Sequence, residues 1–135
     1  MDLLPGQALV ARVWSWAPER LRDDAETQLR EEQKLKVATP RPSVSVFAVE
    51  MEPGEELLDV MRRLCGHVQR KAKWVCFTTW DELGAAGFDH ARSEPPQHHY
   101  DVYLSNLEDE EEVKRLAAVF NGHDKRKFPS CDLPT

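Results

Sequence analysis

No apolar run in this chain approaches the roughly 20 residues that a helix needs to cross a bilayer, which excludes a membrane-spanning helix within these residues. The first residues, MDLLPGQALVARVW, lack both a basic n-region and a clean apolar core. They do not read as a signal peptide, and the expected location is the cytoplasm. Cysteine is scarce: Cys65, Cys76 and Cys131 are odd in number and show no C-x-x-C spacing. That pattern suits reduced thiols better than a disulfide framework, and leaves open whether Cys131 pairs. There is no glycine-rich phosphate loop and no G-x-S-x-G elbow, and Ser93 and Ser105 sit in no such setting, so the common nucleotide and serine-hydrolase motifs are excluded. Positive charge is the minority sign, with 18 Lys and Arg against 24 Asp and Glu and a net charge of −6. A surface built wholly to hold nucleic acid is therefore disfavoured, while a local basic patch remains compatible.

What is present suits one folded domain. A chain of 135 residues, 41% hydrophobic and 31% charged, with four Trp and five Phe, has the composition of a globular protein. At this size one core buries roughly two thirds of the unfolded surface. We expect a single domain over residues 1–128 and a mobile polar tail over 129–135.

Hydrophobic period places the elements. ALVARVWSW, residues 8–16, alternates as a strand. Pro18 fits the first turn of a helix, and ERLRDDAETQLREEQKLK continues it with a thin apolar stripe of Leu21, Ala25, Leu29 and Leu35. After the proline-broken ATPRPS, residues 44–50 form a strand with Val44, Val46 and Ala48 on one face and Phe47 and Val49 on the other, so both faces need cover. Residues 55–70 form a helix, with a stripe of Leu57, Leu58, Met61, Leu64, Cys65 and Val68 and acids before bases as its dipole favours. Residues 73–80 form a strand, parallel to the strand before the helix. A helical turn at 81–86 leads into a loop at 87–97 containing Pro95-Pro96. Residues 98–104 then form a strand with Tyr100, Val102 and Leu104 on one side and His99, Asp101 and Tyr103 on the other. A last helix, capped by Asn106, runs to about Phe120 with Val113, Leu116, Ala117 and Phe120 inward. The expected fold is α/β or α+β, a two- or three-layer domain with a mixed sheet of about four strands in the chain order β-α-β-α-β-β-α.

Candidate chemistry is sparse. Cys65 and His67, two apart on a helix, lie roughly 200° apart around its axis and cannot chelate one ion. His98 and His99 project to opposite faces of a strand. A metal site would need His90 from the loop with one of these and His123 or Cys131; no metal and no cofactor is expected. His99, Asp101 and Tyr103 share a strand face, with Arg92 and His90 in reach if the loop folds back. A carboxylate beside an imidazole suits acid–base work, so these are the candidate catalytic residues. Arg62, Arg63, Arg70, Lys71 and Lys73 concentrate positive charge without an intervening acid. With Trp74 or Trp80 to stack on a base, and with Arg92, they are the candidate binding residues for nucleic acid or a partner. Five consecutive acids, Glu108 to Glu112, open the last helix, and the two blocks polarise the molecule if they lie at opposite ends.

With no catalytic motif, the sequence reads more as a binding module than as an enzyme. The leading expectation is a small interaction or regulatory module of the antitoxin, immunity-protein or adaptor kind, with a protein partner, no membrane, and homo-oligomerisation possible through the first helix. The alternatives are a nucleic-acid-binding protein or nuclease using residues 62–73 with His99 and Asp101, and a small-ligand enzyme with its site under the 87–98 loop.

Overall fold

The computed structural model describes residues 3–12, 17–67, 75–94, 97–121 and 125–126. Alternation in ALVAR forms strand β1 (Ala8–Arg12), with Leu9 and Ala11 facing one core and Val10 the other. Helix α1 (Pro18–Lys34) starts on its proline and buries only Leu21 and Ala25, while Leu35 beyond its end is 76% exposed. Leu21 and Ala25 of that stripe are therefore used within the molecule, where α1 packs against β2 (Ser43–Glu50) and the last helix. Strand β2 is apolar on both faces, as expected.

Gly54, at φ 87°, makes the turn into helix α2 (Leu57–His67), whose buried residues are Val60, Met61, Leu64 and Cys65. Leu58, assigned to the stripe from spacing, is instead 40% exposed, and Val60 takes the inward position. The true face follows 57, 60, 61, 64 and 65, which leaves 58 on the outer side. Strand β3 (Val75–Thr79) runs directly into helix α3 (Trp80–Ala85). Thr79 caps this helix by accepting from the Glu82 amide at 3.2 Å, which fixes the turn from strand to helix.

The 87–97 segment is not wholly irregular. It contains strand β4 (His90–Arg92), which folds back on β5 (His99–Tyr103). Helix α4 (Glu110–Asn121) buries Val113, Leu116, Ala117 and Phe120, and β6 (Lys125–Arg126) adds a short edge. Asp109, not Asn106, caps α4: its carboxylate accepts from the amides of Glu111 and Glu112 at 3.1 and 3.3 Å. Asn106 instead closes the preceding turn through the Glu108 amide.

The described residues form one α+β domain, an antiparallel sheet against four helices, with strand order β4-β5-β2-β1-β3-β6. Strands β2 and β3 do run the same way, as their helical connection requires, but β1 lies between them and pairs antiparallel with both. The sheet is thus antiparallel at every ladder rather than mixed. Helices α1, α3 and α4 cover one face around Val10, Val46, Val102 and Phe120. Among the described residues, helix α2 covers the other, over Leu9, Phe47, Val49 and Phe77. The expected extensions of β1 through Trp16, of α2 through Arg70 and of β3 back to Lys73, and the tail at 129–135, lie outside the described residues. Among the described residues no helix is long and apolar enough to cross a membrane.

Candidate functional site

The β2–β5 register sets Phe47 opposite His99, Ser45 opposite Asp101 and Ser43 opposite Tyr103. His99, Asp101 and Tyr103 therefore share the α2 side of the sheet, as alternation predicts. The His99 ring meets Phe47 edge-on, with centroids 5.3 Å apart, and its Nδ1 lies 2.8 Å from the Ser93 carbonyl oxygen. A carbonyl only accepts, so Nδ1 is the donor in this contact. Asp101 is 6% exposed. Burial raises its carboxyl above the ordinary range, opposed in part by a hydrogen bond from Ser93 and by His99. Burial likewise raises the Tyr103 phenol, helped by Asp101 and Glu32 and countered by Arg41, whose guanidinium lies 4.2 Å over the ring. Serine, imidazole and carboxylate do meet here. They are wired with the serine hydroxyl on the carboxylate, a pattern that holds a proton near Asp101 rather than one that strips a proton from Ser93.

His90 and Arg92 are not part of this cluster. Strand β4 sets His90 opposite Val102 and Arg92 opposite Tyr100, so the loop folds back as supposed but delivers both side chains to the opposite face. There His90 stacks on Trp80, with centroids 3.6 Å apart and planes within 5°, and burial lowers its pKa. Arg92 donates to the Tyr100 hydroxyl at 3.2 Å, and Tyr100 meets Trp80 edge-on at 5.2 Å.

Trp80 and Tyr100 form one wall of a half-open cleft of about 900 Å³. The antiparallel topology builds it: β1 and β5 begin, and β2 and β3 end, at the same end of the sheet. Its lining brings together Glu50 at the end of β2 and Glu52 just beyond it, Trp80 and Asp81 from the start of α3, Arg63 from α2, Arg92 from β4, His98 just before β5, and Tyr100 from β5. His98 adopts the left-handed conformation, at φ 65°, and packs on His67 with centroids 4.1 Å apart. Burial lowers the His67 pKa, as do the neighbouring His98 and Arg63.

Of the expected basic residues, Arg63 and Arg92 reach this cleft, and Arg62 is exposed on α2. Arg70, Lys71, Lys73 and Trp74 lie outside the described residues. Arg63 is internally engaged: it donates to both Glu55 carboxylate oxygens, at 3.1 and 2.8 Å, and to the Glu50 carbonyl. The Glu55 bond raises the Arg63 pKa and holds the Glu55 carboxyl below its usual range. The acidic run lies at the opposite end of the sheet, where β5 ends opposite Ser43 and the chain turns into α4. Its Glu112 is buried and accepts from the amides of Ser105 and Asn106 at 2.8 and 3.0 Å. Part of that acidity thus closes the turn before α4 rather than facing outward.

Spacing in the sequence left the cleft residues Glu50, Glu52, Asp81 and Tyr100 unassigned. The sequence Thr79-Trp80-Asp81-Glu82, a capping box, was the available signal that Trp80 opens a helix at a strand end. Among the described residues, no group of three or more His, Cys, Asp or Glu is placed to hold a metal ion. No protein-family model matches this chain, and neither a curated protein nor a solved structure matches it.

Proposed function

We propose that this protein is a protein-interaction module that binds an extended segment of a partner in the cleft at the end of its sheet. The observation that carries this reading is the composition of the cleft wall: Trp80, Tyr100, Arg63 and Arg92 converge on one half-open space of about 900 Å³. Trp, Tyr and Arg are the side chains that dominate binding energy at protein interfaces, because they combine large contact area with a polar handle. An open groove of mixed polar and apolar lining suits a chain segment better than an enclosed small ligand, which favours a site lined mainly by apolar groups. The nucleic-acid reading has less support in the described residues, since the Arg63 charge is already matched by Glu55.

The reading is tested by selecting random displayed peptides on the immobilised protein and titrating the selected peptides against wild type and Trp80→Ala. Loss of a central aromatic anchor weakens binding by about 2 kcal/mol or more, roughly thirtyfold. Selections that yield no binder, or binders indifferent to Trp80→Ala and Tyr100→Ala, overturn it.

A further inference from the structure

We infer that the segment this cleft selects is basic, presenting a lysine or arginine side chain to Trp80 and Tyr100 between the carboxylates of Glu50, Glu52 and Asp81; the inference rests on the docking role proposed above. Two kinds of observation lead to it. The first is the charge left over once internal pairs are made. Both arginines of the lining already have acidic partners, Arg63 with Glu55 at 2.8 Å and Arg92 with Glu94 at 3.8 Å. Glu50, Glu52 and Asp81 line the same space, all exposed, and none of them has an ion pair among the described residues that matches its charge. What the cleft offers an incoming chain is therefore negative, in keeping with a net charge of −6 for the whole protein. An acidic segment would meet like charge, and the arginines could receive it only by abandoning existing partners.

The second observation is that the wall already holds a cation. The Arg92 guanidinium lies 5.7 Å from the Tyr100 ring centroid and bonds its hydroxyl; that bond favours its charge most, and Glu94 and then Glu50 add to it. A cation near an aromatic face is attracted by the ring quadrupole, and here a carboxylate lies close enough to share it. Trp80 presents a second ring beside Tyr100, held in place by the stacked His90. A lysine or arginine from a partner would find the same combination of π face and carboxylate that Arg92 uses.

Fluorescent synthetic peptides of matched length, one lysine-rich, one glutamate-rich and one uncharged, each with one aromatic residue, are titrated by anisotropy at low and high salt. We expect the lysine-rich peptide to bind best and to weaken with salt, as screening of exposed charge requires. Glu50→Gln and Asp81→Asn should each weaken it by about two- to fivefold, the scale of an exposed ion pair. Trp80→Phe, which keeps a ring and the helix start, should weaken it less than Trp80→Ala; near-ultraviolet circular dichroism checks that each variant is folded. Preference for the glutamate-rich or uncharged peptide, with binding still lost in Trp80→Ala, overturns the basic specificity and leaves the docking role standing. Binding of none of the three overturns both. Lysine-peptide binding unchanged in Glu50→Gln and Asp81→Asn overturns the assignment of the charge to this cleft.

Discussion

Trp80 and His90 lie face to face, with ring centroids 3.6 Å apart and planes within 5°, so the first residue of α3 and the first residue of β4 are held as one unit. Burial against that ring lowers the His90 pKa from its ordinary 6.5, and His67, packed on His98, is lowered for the same first reason. A histidine depressed in the fold contributes stability above pH 6.5 that is lost as pH falls toward its folded pKa, because the unfolded chain takes up the proton first. We therefore expect the urea midpoint to fall as pH drops below 6.5, and His90→Phe to reduce that slope. A midpoint flat over this range in wild type would contradict the assignment.

Asp101 predicts the opposite sign. Its carboxyl is raised above 3.8, chiefly by burial. The stability this contributes is present below that value and disappears as pH rises through the folded pKa. At neutral pH the buried carboxylate is a net cost, and Asp101→Asn should stabilise the protein by about 1 kcal/mol there. Chemical denaturation at neutral and acidic pH checks this: the gain must shrink at the acidic end.

Arg12 on β1 is 1% exposed and ties the sheet to α1, donating to Asp24 and, at 2.9 Å, to the Ser45 carbonyl. Removing the acid takes the carboxylate shown for a buried guanidinium, so Asp24→Ala should cost about 3 kcal/mol. Arg20→Ala, which removes the exposed partner of the same acid, should cost under about 0.5 kcal/mol. Equal effects of the two variants on the unfolding free energy would show that the buried pair carries no special weight.

Among the five consecutive acids, Glu112 and the capping Asp109 should stand apart from the exposed Glu110. Glu112 closes two backbone amides of the preceding turn, so Glu112→Ala should lower stability by about 1–2 kcal/mol. Glu110→Ala, at an exposed position, should be nearly silent. Thermal melts of the two variants decide the point.

Gly66 lies in α2, and a Cβ built there meets nothing within 4 Å. Gly66→Ala should raise stability by about 0.5–1 kcal/mol through lower backbone entropy in the unfolded chain and better helix propensity. An unchanged or lower unfolding free energy would mean that the position needs glycine for another reason.

Period alone placed most of the core residues, though it turned Leu58 and Leu35 inward, which are exposed, and left out the buried Val60. The two faces of β2, the inward residues Tyr100, Val102 and Leu104 of β5 and its neighbourhood, and the whole inner stripe of α4 were legible because a strand repeats every two residues and a helix every 3.6. So was the polar set His99, Asp101 and Tyr103. Tertiary structure decided what period cannot express. Interposing β1 between β2 and β3 made every ladder antiparallel, a choice of strand partners that no local pattern encodes. The β4 register sent Arg92 and His90 away from Asp101 and onto Trp80 and Tyr100, because moving a pairing by one residue exchanges the faces of a strand. The cleft itself joins Glu50, Arg63, Trp80 and Tyr100 across four elements. It exists only because antiparallel pairing brings the ends of β2 and β3 and the beginnings of β1 and β5 to one end of the sheet.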